Sequence, residues 1–189
     1  MNNLIFSDLH LNFLSENALD NFFNNVQNKN PDNILLLGDI ADGKTIISIL
    51  ERFSKINSKI FYVLGNHDFY WSSFYNIYEQ CKKLPSNLYL LDHEQPLYFD
   101  DNTCIIGSSG WYDAGWMKPI LPFVYIADWF AIADLQKFFT YSNFHKFCLD
   151  LTNFYTKSLQ LKLINGLSNY DNIIMLTHFP PLFKTHDNK

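Results

Sequence analysis

Four apolar, β-favouring runs in this chain each end on a short polar fragment, and that repetition restricts the fold more than any other feature. Asn3 to Phe6 leads into Ser7-Asp8-Leu9-His10, and Ile34 to Leu37 into Gly38-Asp39. Lys59 to Leu64 leads into Gly65-Asn66-His67-Asp68, and Ile173 to Leu176 into Thr177-His178. Ile34 to Leu37 has no polar face, as expected of a parallel strand covered on both sides. Open α/β sheets build their sites outside the carboxyl ends of the strands. Carboxylate, imidazole and amide groups from distant parts of the chain would meet there.

Helical spacing separates these runs. Leu19, Phe22, Phe23 and Val26 share one face of Asn17 to Asn28, which Asn30-Pro31-Asp32 terminates. Thr45 to Phe53 repeats the pattern with Ile46, Ile49, Leu50 and Phe53, and a helix follows over about Ser72 to Leu84. Shorter strands are predicted at Leu88 to Leu91, Leu97 to Phe99 and Cys104 to Ile106, the last two joined by a hairpin-like turn at Asp100-Asp101-Asn102. Trp111 to Phe139 is aromatic without a single period, and a long helix is predicted over about Asn143 to Leu163. A β-α-β-α-β opening that gives way to a more antiparallel stretch predicts two packed sheets flanked by helices. With 189 residues and no repeat or linker, one domain over 1–189 is expected.

Composition excludes several classes of function. Hydrophobic residues make up 48% and charged residues 17%, the mark of a folded chain. The formal charge is -5 and Arg52 is the single arginine, so no binding of a nucleic-acid backbone is expected. Cys81, Cys104 and Cys148 form no CxxC pair and read as reduced, buried thiols. Met1-Asn2-Asn3 has no cationic region, and no stretch reads as a transmembrane segment. A cytoplasmic location is expected.

Each polar fragment has a bland reading by itself. Asp8 or Asp39 could be a helix cap or turn residue, Asn66 a turn residue tolerating left-handed backbone, and His178 a satisfied loop histidine. Their joint occurrence at successive strand ends favours a site. If the segment is extended, Asp8 and His10 point the same way and can hold one metal. Asp39 can put one oxygen on each of two metals, with the Asn66 amide oxygen and the His178 imidazole on the second. Nitrogen and oxygen donors without thiolate suit two divalent ions of Mn, Fe or Zn. Such a pair activates a bridging water to hydroxide and clamps phosphoryl oxygens. His67 would contact phosphate and protonate the leaving oxygen, with Asp68 orienting its ring. Asp42 would support the site from outside the ligand set. Trp111 and Trp116, with Tyr112, Phe123, Tyr125, Trp129 and Phe130, would form a lid over the substrate or pack the core of an irregular insertion.

The set Asp8-x-His10, Gly38-Asp39-x-x-Asp42, Gly65-Asn66-His67-Asp68 and His178 resembles the calcineurin-like metallophosphoesterase superfamily. The resemblance implies a four-layer α/β/β/α sandwich, a dinuclear metal site, and hydrolysis of a phosphomonoester, phosphodiester or pyrophosphate in a small phosphorylated substrate. It implies Asp8, His10 and Asp39 on the first metal and Asp39, Asn66 and His178 on the second. His67 and Asp68 would serve phosphate and leaving group. The family's closing Gly-His-x-His segment is not found after His178, where His186 stands alone. The expectation is therefore a fold whose C-terminal strands are missing and whose metals each lack one imidazole. An oligomer could cover the exposed sheet. A catalytically impaired binding module, scaffold or remnant is the alternative. Gly43 stands where family protein phosphatases usually carry arginine. The start Phe6 to Leu11 is similar to lipid-A pathway pyrophosphatases, which typically have arginine at the position of His67. A small phosphodiester or monoester is therefore the expected substrate.

Overall fold

The computed structural model describes residues 1–113, 126–138 and 140–180. Trp116, Phe123 and Tyr125 of the expected lid, and His186, lie outside them. A first sheet is built from β1 (Asn3–Phe6), β2 (Asn33–Leu37), β3 (Lys59–Val63) and β4 (Leu88–Leu90), in that order and all parallel. A second sheet is built from β5 (Leu97–Asp100), β6 (Thr103–Ser108) and β7 (Asn172–Thr177). β5 and β6 form the expected antiparallel hairpin, whereas β7 pairs with β6 in parallel, in register from Thr103↔Asn172 to Ser108↔Thr177. The second sheet is therefore mixed, because helix α6 (Tyr141–Asn169) intervenes as a crossover between β6 and β7.

Alternation along the strands sorts side chains into layers. In β2, Ile34 and Leu36 face α1 (Glu16–Asn28) and α2 (Ile46–Ser54), joining Phe23, Val26, Leu50 and Phe53 in one core cluster. Leu35, Phe61 and Val63 point the other way and meet Phe99, Ile105 and Leu176 of the second sheet. Cys104 and Ile106, on the far face of β6, pack against Leu159 of α6. Helices, sheet, sheet and helix follow one another, as the resemblance implies.

Local chemistry sets the helix ends. The Ser15 and Ser73 hydroxyls accept the amides of Ala18 and Asn76, capping α1 and α3 (Phe74–Cys81). Arg52 of α2 pairs with Glu16 and Asp20 of α1. Two short helices, α4 (Ala127–Ala131) and α5 (Ala133–Gln136), occupy part of the stretch that showed no period. Trp111 is buried against Phe74, Tyr112 and Phe179. Of the two alternatives expected for it, lid or core, these aromatic neighbours fit core packing for Trp111. Among the described residues no helix is long and apolar enough to cross a membrane.

Candidate metal centre

The polar fragments leave the carboxyl ends of β1, β2, β3 and β7, and the backbone there is unusual. Asp8, His10 and Asp39 all have positive φ, at 54°, 45° and 50°. The extended alternation expected at Asp8 and His10 is therefore not what brings their side chains inward. Left-handed turns do so, held by backbone bonds that continue beyond the strands. The amides of Asp8, His10 and Leu11 donate to the carbonyls of Gly38, Asp39 and Ile40 at 3.2, 3.0 and 2.9 Å. Non-glycine residues in such conformations concentrate at functional sites.

Asp39 sits at the centre with its side chain almost wholly buried. His10 Nε2 lies 3.8 Å and His67 Nε2 4.0 Å from its Oδ2, while His178 Nε2 lies 3.5 Å from its Oδ1. Donor atoms gather into two overlapping groups, His10–Asp39–His67 and Asp8–Asp39–His178, each within 4.8 Å. Close approach explains both glycines. Gly38 has φ +86°, and a Cβ there would meet the His178 ring at 2.6 Å. At Gly65 a Cβ would fall on Asp39 Oδ1, well inside contact distance. The apposed loops leave no room for a side chain.

Hydrogen bonds settle which atoms face the centre. His178 Nδ1 lies 2.9 Å from the Leu37 carbonyl. A carbonyl only accepts, so Nδ1 carries the proton and Nε2 keeps its lone pair for a ligand. The Asn66 amide nitrogen donates to Asp128 Oδ1 at 2.8 Å, which turns its carbonyl oxygen the other way. His67 packs edge-on to His10, with centroids 4.7 Å apart, and stacks on Tyr70 at 4.2 Å.

Two neighbouring aspartates bind backbone amides. Asp68 is fully buried and does not orient His67. Its Oδ1 accepts the Ala41 amide and its Oδ2 the Gly65 amide, clamping the β2 loop to the β3 loop. Burial pushes its pKa up to about 8, against the opposing pull of those two amides. Asp42 accepts the Thr45 amide at 3.0 Å and the Thr45 hydroxyl at 2.7 Å, so it caps the start of α2. Asp128 escaped the sequence reading. The only signal available was an acid inside an otherwise apolar, aromatic segment.

The donor set fits divalent cations. Among the described residues, the groups within ion-pairing reach of Asp39 are three imidazoles and no lysine or arginine. His10 Nδ1 is buried without a hydrogen-bond partner, so protein groups leave that ring unsatisfied. Carboxylate, imidazole and amide oxygen gathered around Asp39 suit a divalent cation.

An α/β/β/α sandwich with such donors at its strand ends defines a class, the phosphoesterases that work with divalent metals. The model of the calcineurin-like phosphoesterase family matches residues 1–188, and the chain belongs to that family. An uncharacterised protein of Acanthamoeba polyphaga mimivirus is 30% identical over 196 residues, spanning 94% of this chain and 67% of its own. The crystal structure of a phosphopantetheinyl hydrolase from Mycobacterium tuberculosis superposes with a TM-score of 0.62 at 16% identity, over 95% of this chain and 68% of that one. The latter likeness is one of fold.

Proposed function

We propose that this chain hydrolyses phosphoester bonds in a small substrate, with Asp39 shared between two divalent ions. The observation that carries the reading is the carboxylate of Asp39, flanked by His10 and His67 at Oδ2 and by His178 at Oδ1. By the family resemblance Asp8 and His10 would complete one ion's ligands and Asn66 and His178 the other's, whereas the donor atoms as they stand group Asp8 with His178 and His10 with His67 around Asp39. When bound, the ions supply a water activated at neutral pH and positive charge against the phosphoryl oxygens. His67 is the proton donor to the leaving oxygen. Its side chain remains 34% exposed, so it can reach a substrate from the site's open side. A net charge of -5 disfavours polyanionic partners, and three buried, unpaired thiols suit a reducing cytoplasm.

Hydrolysis of p-nitrophenyl phosphate and of its bis-ester, with and without Mn²⁺, tests the activity. Turnover should require Mn²⁺ and be abolished by Asp39→Asn. Metal-dependent turnover that survives Asp39→Asn would refute the reading. His67→Ala should lose turnover while calorimetry still counts two Mn²⁺ per chain. Loss of one ion would move His67 into the ligand set, as its place in the His10–Asp39–His67 group allows. Two tightly bound ions with no turnover on either ester would instead favour a binding module that keeps the metal centre.

A further inference from the structure

We infer that Asp128 is a positioning residue for the metal centre: it holds the Asn66 side chain in the one orientation that presents oxygen, not nitrogen, to a cation. The inference rests on the reading of Asn66 as a ligand. A carboxamide has two ends of nearly equal shape and opposite polarity. Facing a divalent ion, the oxygen end donates a lone pair and the NH2 end repels it. Something must choose between them before the metal arrives.

Asp128 makes that choice because a carboxylate can only accept. Its Oδ1 receives the Asn66 Nδ2 hydrogen at 2.8 Å and the Tyr70 hydroxyl at 2.5 Å, and its Oδ2 receives the Tyr112 hydroxyl at 2.7 Å. An inverted Asn66 would set oxygen against oxygen. The arrangement is built for rigidity. Asp128 is 5% exposed and Tyr112 packs between Trp111 and Phe179. Tyr70 also stacks on His67, so the cluster abuts two of the proposed site residues. Groups that orient ligands from behind commonly change metal affinity by about 10–100-fold when removed.

Mn²⁺ titration by calorimetry on the whole chain is the test, and it needs no substrate. Asp128→Ala should weaken one of the two Mn²⁺ sites by about 10–100-fold and leave the other unchanged. Asp128→Asn should retain wild-type affinity, because its amide can keep an oxygen toward Asn66 and Tyr70 and turn its nitrogen to Tyr112. In an Asn66→Ala background, Asp128→Ala should cost nothing further, since it acts only through that side chain. Asp128→Leu fills the same volume without an acceptor and replaces the alanine variant if that one lacks a cooperative melt. Wild-type affinity in both acceptor-free variants would overturn the inference, as would loss in Asp128→Asn or a full additional loss on top of Asn66→Ala. Failure of the underlying reading looks different: Asn66→Ala itself would then bind both ions normally.

Discussion

At the scale of single residues, the centre is maintained by backbone that the chain would not adopt unaided. Each left-handed non-glycine residue costs on the order of 1–2 kcal/mol. Asp8, His10 and Asp39 accept that cost because the loops beyond β1 and β2 are bonded to each other. Gly65 belongs to the same constraint, since its missing side chain is the space Asp39 Oδ1 occupies. With Asp39 shared between two ions as proposed, Gly65→Ala should displace that carboxylate and weaken Mn²⁺ binding at both sites by at least about tenfold. Calorimetry would check this, and wild-type affinity at both sites would contradict it. The motif residues were legible because each follows directly on an apolar run. Their backbone was not, because nothing in Asp8-Leu9-His10 announces positive φ. The bonds of Asp42 and Asp68 were not legible for a related reason: an acid next to a candidate ligand in sequence can spend its oxygens on backbone amides.

At the scale of elements, periodicity located the helices and strands that bury a continuous apolar face and blurred the rest. The strand Asn3–Phe6 has the bounds expected of it, while α6 runs to Asn169, past the expected Leu163. The extra turns expose Ile164 and Leu167, so no amphipathic signal marked them. The short helices α4 and α5 were illegible, being less than two turns each. What anchors α6 is also unmarked in sequence. Lys162 is 5% exposed, and its ammonium donates to the carbonyls of Leu91, Asp92 and Gly107, at 2.5, 2.9 and 3.0 Å. Those acceptors lie beyond β4 and within β6, so one side chain ties the crossover helix to both sheets. Lys162→Met keeps the length of the stem but leaves the carbonyls without donors. It should destabilise the fold by about 3 kcal/mol, given the usual cost of unsatisfied buried groups. Urea unfolding measures this, and a loss below about 0.5 kcal/mol would show that the carbonyls find other partners.

At the scale of the whole molecule, the four layers put phenols into places water does not reach. Tyr62 lies under the helices of the first sheet, Tyr78 and Tyr155 share a hydrogen bond at 2.7 Å between α3 and α6, and Tyr112 closes on Asp128. Burial is the largest cause that raises the pKa of each. The sign of the linkage follows. A group whose pKa is higher in the folded state contributes stability in full below its unfolded value, about 10 for tyrosine, and loses it as pH climbs through the folded value. Above about pH 10 the unfolded chain releases phenolic protons that the folded chain retains, so each step in pH favours unfolding. Tyr62 belongs to β3, Tyr78 to α3 and Tyr155 to α6, so these phenols should yield together. Tyrosinate absorbance from the buried set and loss of helical circular dichroism should therefore appear as one cooperative step. Ionisation of the whole tyrosine complement near pH 10 with the helical signal intact would mean that water reaches these rings in the folded protein, and that the layers are not packed as described.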